Sequence, residues 1–260
     1  MKIVTWNVNG IRASYKKGLQ EFIRQESPDV LCLQETKAHR DQVESDVKTL
    51  GYQFDLWSSA VRKGYSGVAT FCKERPIGAR QGMGIEIYDS EGRIVITDHG
   101  RFLLYNIYFP NGGSGEIRHH FKQKFLQDLS DHLQFVQESG REVILVGDYN
   151  VAHLEYDVYD PVRLKKESGF LPEERDWFTS FLKQGFVDTF RHLRPMEKNR
   201  YSWWSYRELA RISNRGWRID YICITEGLLP YLKSVDILDQ VMGSDHCPVI
   251  AEFDFPQEAR

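Results

Sequence analysis

The sequence predicts a single domain of the α/β or α+β class, and three observations carry that expectation. Short β-rich runs recur along the whole length, amphipathic stretches of helical length lie between several of them, and nothing in the composition divides the chain. Proline and glycine are scattered, no charge block or low-complexity tract is present, and no period of repeat length is evident. At 260 residues the chain could form one large domain or two small ones, and one is the simpler expectation.

The first β-rich run, residues 2–6, is followed by an amphipathic stretch at 19–25 and a second run at 30–33. Runs at 67–72, 93–97 and 102–109 come next, rich in the β-branched and aromatic residues that suit a pleated, half-buried surface. Residues 117–138 form the longest helical stretch, and a strand is expected at 142–146. The clearest helix is 172–184. There Pro172 opens the first turn, Glu173 and Glu174 place acid at the positive end of the helix dipole, and Phe178, Phe181 and Leu182 form an apolar stripe. Strands at 220–224 and 249–253 complete the set.

Hydrophobic residues make up 41% and charged residues 27%, the balance of a soluble globular protein with a real core. Aromatics reach 13%, and core filling accounts for most of them. The net charge of −3 gives no sign of nucleic acid, so any such binding needs a local basic face. Cys32, Cys72, Cys223 and Cys247 form no CxxC pair and read as structural thiols in a reducing compartment, not zinc ligands or disulfides. The N-terminal apolar stretch is brief and soon meets Arg12, which argues against a signal peptide, and no window approaches a membrane span. A soluble, intracellular, cytoplasmic protein is expected.

Short polar residues fall where apolar strands end, the place where side chains converge above a sheet. Five segments do this: Trp6-Asn7-Val8-Asn9-Gly10, Leu33-Gln34-Glu35-Thr36-Lys37, Gly147-Asp148-Tyr149-Asn150, Arg218-Ile219-Asp220-Tyr221 and Gly243-Ser244-Asp245-His246. Asp and Asn after a strand are common turn formers, and for any one segment that bland reading wins. Five together, with Glu and His that turns do not need, strain it. Carboxylates and carboxamides without competing Cys suit a hard cation such as Mg²⁺. With an acid and a His they suggest hydrolysis at phosphorus.

Seven segments in order resemble the exonuclease III family of AP endonucleases. They are Trp-Asn-Val-Asn-Gly from Trp6, Leu-Gln-Glu-Thr-Lys from Leu33, Gly-Tyr-Ser-Gly-Val from Gly64, Gly-Asp-Tyr-Asn-Val-Ala-His from Gly147, Ser-Gly-Phe-Leu-Pro-Glu-Glu-Arg from Ser168, Gly-Trp-Arg-Ile-Asp-Tyr from Gly216 and Gly-Ser-Asp-His-Cys-Pro from Gly243. The resemblance implies a four-layered α/β sandwich, two facing mixed sheets flanked by helices, with the site at one edge. It implies Mg²⁺, replaceable by Mn²⁺, on Glu35 and Asn7, with Asn9 and Asp245 shaping the metal site. It further implies Asp148 as the group that orients or deprotonates water, Asn150 holding it or the phosphate, His246 with Asp220 on the scissile phosphate, and Tyr108 against that phosphate or the leaving oxygen.

The substrate implied is double-stranded DNA with abasic or 3′-blocked lesions, cut by a monomer. Trp203 and Trp217, with Phe190 or Leu238 nearby, would line a pocket for a flipped-out baseless sugar, which costs less to extrude than a stacked nucleotide. Core packing is the competing reading for Trp203 and the stronger one for Trp204. Arg12, Lys16, Lys17, Lys37, Arg62, Lys63, Tyr65, Asn111 and Arg207 match DNA-contacting segments, although each charge is equally consistent with a solvated surface. Ser114 departs from relatives that carry Arg there, and Lys165, Lys166 and Glu167 from relatives with Asn. Two rival functions are a binding protein with a decayed site and a phosphatase of the same superfamily. The first requires lost ligands, and the second lacks the Trp-Trp-Ser-Tyr-Arg and Gly-Trp-Arg-Ile-Asp-Tyr segments.

Overall fold

The structure, a computed structural model, describes residues 1–256. Strands β1 (Lys2–Asn7), β2 (Val30–Gln34), β3 (Phe54–Ser58) and β4 (Val68–Cys72) belong to a first sheet. β5 (Gly78–Gln81), β6 (Ile94–Asp98), β7 (Phe102–Tyr108), β8 (Glu142–Asp148) and β9 (Phe186–Asp188) belong to a second. β10 (Trp203–Trp204) and β11 (Gly216–Trp217) form a short ribbon. β12 (Asp220–Thr225) then rejoins the second sheet, while β13 (Leu232–Ile237) and β14 (Val249–Phe253) rejoin the first. The strand orders are β13-β14-β1-β2-β4-β3 and β5-β6-β7-β8-β12-β9. Both sheets are mixed: β1–β2 and β7–β8 run parallel, their other pairs antiparallel.

Strand alternation sorts the core into three slabs. Val4, Trp6, Leu31 and Leu33 face outward onto Phe22 of the helix Gln20–Glu26. Tyr105, Ile107, Val143 and Leu145 face outward from the second sheet onto the helices Glu116–Glu138 and Pro172–Lys183. Between the sheets lie Ile3, Val30, Leu104, Ile144, Ile222 and Ile224. Helix, sheet, sheet, helix is the four-layered sandwich expected.

The same alternation carries the site upward. On the second sheet Leu104, Ile144 and Ile224 share one level between the sheets; Asn106, Val146 and Ile222 form the next. Tyr108, Asp148 and Asp220 form the top level. On the first sheet Ile3, Thr5 and Asn7 climb in step, with Asn7 beside Gln34. Apolar layers therefore end in polar ones at a single edge. Gly147 makes this possible on β8: at φ +144°, a Cβ there would sit 1.8 Å from the Ile107 carbonyl oxygen of the adjoining strand.

Candidate active site

Asn7 joins the sheets. Fully buried at the end of β1, it donates through Nδ2 to Glu35 Oε2 (3.1 Å) and to Asp148 Oδ2 (2.9 Å), and its Oδ1 accepts the Asn9 amide (2.9 Å). Asn9 and Glu35 both adopt left-handed backbone conformations, φ 46° and 54°, turning their side chains off the strand ends into the cleft. Asn9 Nδ2 in turn donates to Asp245 Oδ1 (2.9 Å), and Trp203 Nε1 to Asp245 Oδ2 (3.2 Å). Burial raises the Asp245 carboxyl, but the His246 charge and these two donors outweigh it and hold it below the usual carboxylate range.

Asp148 accepts the Asn150 backbone amide on Oδ1 (2.9 Å). Asn150, itself left-handed at φ 52°, is held by bonds to the Phe109 carbonyl (3.0 Å) and from Asn111 (3.1 Å). His246 Nδ1 is 2.8 Å from Asp220 Oδ2, and its Nε2 is 3.8 Å from Asp148 Oδ2. Burial pushes Asp148 up to about 7, helped by Asp220 and resisted by His246 and the Asn150 and Asn7 donors. For His246 burial works the other way, yet Asp220 and Asp148 overcome it and hold the imidazole up at about 10. A neutral-to-ionised carboxylate thus faces a charged imidazole near pH 7.

Tyr108 completes the edge. Burial, with Glu35 and Asp148 nearby, pushes its phenol well above the usual range. The Arg93 guanidinium lies 5.0 Å from its ring centroid and donates to its carbonyl (2.9 Å). Behind the cleft wall, the buried Lys122 bonds the Asn150 carbonyl (2.8 Å) and pairs with buried Glu174, whose other oxygen accepts the Gly169 and Leu171 amides. That pair fixes the loop opposite the carboxylates.

Asn9, Glu35, Lys37, Tyr108, Asn111, Asp148, Asn150, Trp203, Trp217, Asp245 and His246 all line one cleft of about 960 Å³, with Asn7 and Asp220 beneath it. Trp203 and Trp217 meet edge to face at 6.3 Å, and Trp203 lies 6.4 Å from the His246 ring. Trp204 is core, 2% exposed. Arg12 and Arg207 are exposed outside the cleft wall, and Tyr65 stands apart from it, its hydroxyl accepting from Arg93 (3.0 Å) and Arg118 (3.2 Å). Phe190 and Leu238 do not line the cleft, contrary to expectation. Phe190 follows the edge strand β9 and is buried under Arg191, Arg200 and Arg218; Leu238 packs on the outer face of the first sheet. Ile219 and Leu164 supply the apolar wall instead. Arg163, Lys166 and Arg215 also line the cleft. No spacing or motif distinguishes Arg163 and Arg215 in sequence from solvated charges, whereas Lys166 lies in a stretch that the resemblance singled out.

The carboxylates of Glu35 and Asp245, without a thiolate beside them, fit a hard divalent cation; Asn7 and Asn9 turn their Nδ2 groups to these carboxylates and orient them, and would ligate only with Oδ1 turned inward. Lys37 already seats an ammonium there, 2.9 Å from Glu35 Oε1 and bonded to Asn9, so the position is built for positive charge. Asp148, Asp220 and His246 form a second group whose ligand atoms lie within 4.8 Å of one another, and the buried Asp220 Oδ1 has no protein partner.

Residues 4–246 match the Endonuclease/Exonuclease/phosphatase family. A Bacillus subtilis exodeoxyribonuclease is 41% identical over 250 residues, covering 96% of this chain and 98% of that protein. The DNA repair nuclease APEX1 of Danio rerio is 40% identical over 251 residues, covering 96% of this chain and 81% of its own. The crystal structure of the AP endonuclease LMAP from Leishmania major superposes with a TM-score of 0.86 at 33% identity, over 98% of this chain and 88% of that one. With the sandwich and its edge site in place, the chain belongs to the endonuclease/exonuclease/phosphatase family and, within it, to the exonuclease III type of AP endonucleases.

Proposed function

We propose that this DNA-repair nuclease hydrolyses the phosphodiester 5′ to abasic sites in duplex DNA, using Mg²⁺, and trims blocked 3′ ends at the same site. The observation that carries the reading is the meeting of Glu35, Tyr108, Asp148, Asn150 and His246 on one cleft, beside a wall formed by Trp203 and Trp217. The whole chain acts as one catalytic domain and as a monomer. Among the described residues no helix is long and apolar enough to cross a membrane.

Asp148, held near neutrality, takes a proton from the attacking water, and the Asn150 amides keep its carboxylate oriented. His246, charged and fixed by Asp220, donates from Nε2 to a non-bridging phosphate oxygen. Tyr108 donates its phenol hydrogen toward the same group. Glu35 and Asn7 would hold Mg²⁺, with Asn9 and Asp245 at its margin, and the bound ion would supply charge neutralisation for the phosphate and the departing oxygen. The water oxygen remains on the 5′ phosphate, the P–O3′ bond breaks, and the 3′ oxygen leaves as an alkoxide that takes a proton from solvent water to become the 3′-hydroxyl. Trp203 and Trp217 favour a sugar without a base, since a stacked base would have to be extruded first. Arg163, Lys166, Arg215 and Lys37 provide the backbone contacts that a net charge of −3 conceals.

The test is a duplex carrying one abasic analogue, incubated with Mg²⁺ or with EDTA. A nick 5′ to the lesion bearing an extendable 3′-hydroxyl, present only with metal, is expected. Intact duplex under both conditions would overturn the proposal.

A further inference from the structure

One level below the catalytic edge, Thr5, Gln34, Thr70 and Asn106 are all 0% exposed. Gln34 Nε2 donates to Thr5 Oγ1 (2.8 Å), Asn106 Oδ1 (2.8 Å) and the Cys32 carbonyl (3.2 Å). Asn106 Nδ2 donates to the Ala69 carbonyl (3.0 Å), Thr70 Oγ1 (3.1 Å) and the Leu33 carbonyl (3.3 Å). The amide-to-amide bond crosses from the first sheet to the second, between residues 72 apart in sequence. Its surroundings in the gap are apolar, with Ile3, Cys32, Leu104, Val146 and Ile222 in the same core cluster.

Apolar burial has no preferred direction, so it holds two sheets together without fixing how one is displaced along the other. A buried hydrogen-bonded pair does fix that, because a small shift leaves desolvated donors without acceptors. Gln34 Oε1 has no protein partner, so this buried amide carries an unmet desolvation penalty. Stability alone is a poor reason for it.

The position supplies a better one. Gln34 immediately precedes Glu35, and Asn106 lies two residues before Tyr108 on the same face of β7, which pairs Tyr108 with Asp148. Glu35 and Asn7 come from the first sheet; Tyr108, Asp148 and Asp220 come from the second. The active edge is therefore assembled across the gap that this bond spans, and the Asn7–Asp148 bond above it depends on the same alignment. We infer that Gln34 and Asn106 are a positioning pair, a cross-sheet strut that sets the separation between the Glu35 side and the Asp148 side of the site. This inference rests on reading the layer above as catalytic.

The experiment compares wild type with Gln34→Met/Asn106→Leu, which replaces both amides by apolar side chains of similar shape, and with the swap Gln34→Asn/Asn106→Gln, which restores an amide pair of the same summed reach. Single-turnover cleavage of an abasic duplex, duplex affinity in EDTA, and the thermal unfolding midpoint are measured for each. The apolar pair is expected to fold near the wild-type midpoint and bind metal-free duplex as wild type does, while cleaving about tenfold or more slowly, with partial recovery in the swap. Wild-type cleavage by the apolar pair would overturn the inference, as would losses of rate, affinity and midpoint in parallel. If the apolar pair does not fold, Gln34→Met alone, which leaves the other Asn106 bonds in place, decides on the same readouts. No cleavage by wild type would remove the catalytic reading and the inference with it.

Discussion

Replacing His246 with glutamine should move the titration of Asp148, and the size of the move follows from the geometry. Nε2 of His246 lies 3.8 Å from Oδ2 of Asp148. At an effective dielectric constant of about 20, a unit charge at that distance is worth about 4 kcal/mol, or about three pH units. Glutamine keeps a hydrogen-bonding group there and water will relax around it, so a rise of at least about one unit is the firm expectation. In wild type, single-turnover cleavage should climb with pH as Asp148 ionises through about 7, then fall as His246 loses its proton toward about 10. In the variant the acid limb should shift above about pH 8 and the alkaline limb should vanish, along with much of the rate. Single-turnover conditions matter because slow product release would flatten both limbs. An acid limb that stays where wild type has it would refute the assignment of that limb to Asp148, and with it the role of Asp148 as base.

Asp148→Asn should lower cleavage by about 10² or more while duplex binding in EDTA persists, and a variant that nicks at the wild-type rate would remove Asp148 from the reaction. Glu35→Ala should raise the Mg²⁺ concentration needed for half-maximal rate; an unchanged titration would place the metal elsewhere. Trp217→Ala should slow abasic incision more than 3′-end trimming, measured side by side on two duplexes, and equal losses would make Trp217 structural. Lys122→Met leaves Glu174 buried without its partner, which should cost about 3–5 kcal/mol in denaturant unfolding. A shift below about 1 kcal/mol would mean that Glu174 does not depend on the ammonium.

The strands visible in the sequence are the interior ones. β1, β2, β4, β6, β7, β8, β12 and β14 are buried along most of their length and read as largely apolar runs. In the two six-stranded sheets the strands that pattern alone does not reveal, β3, β5, β9 and β13, are the four edges, and the two-residue strands β10 and β11 are too short to show a pattern. β5 is exposed at every residue, and β13 alternates without an apolar run, so neither carries the burial signal that pattern reading detects. The helix Pro172–Lys183 is legible because its first-turn acid serves a physical purpose, with Glu174 capping the turn through the Leu171 amide. For the site, Asn7, Glu35, Asp148 and His246 stand out because strand ends have no turn-forming use for that combination. Arg163 and Arg215 do not, since only tertiary folding turns those solvated-looking charges toward the cleft. Phe190 is misplaced by sequence reasoning because apolarity marks burial without saying under which surface.

β1 lies between β2 and β14, so the strand near the start of the chain is completed by the last strand described. Trp6 reaches through that junction to the carbonyl of His246, across 240 residues of sequence. A growing polypeptide that has not yet delivered residues 245–253 therefore lacks both the imidazole and the strand that seats it. The imidazole and its seat therefore enter the fold together, and a chain interrupted before residue 245 has neither.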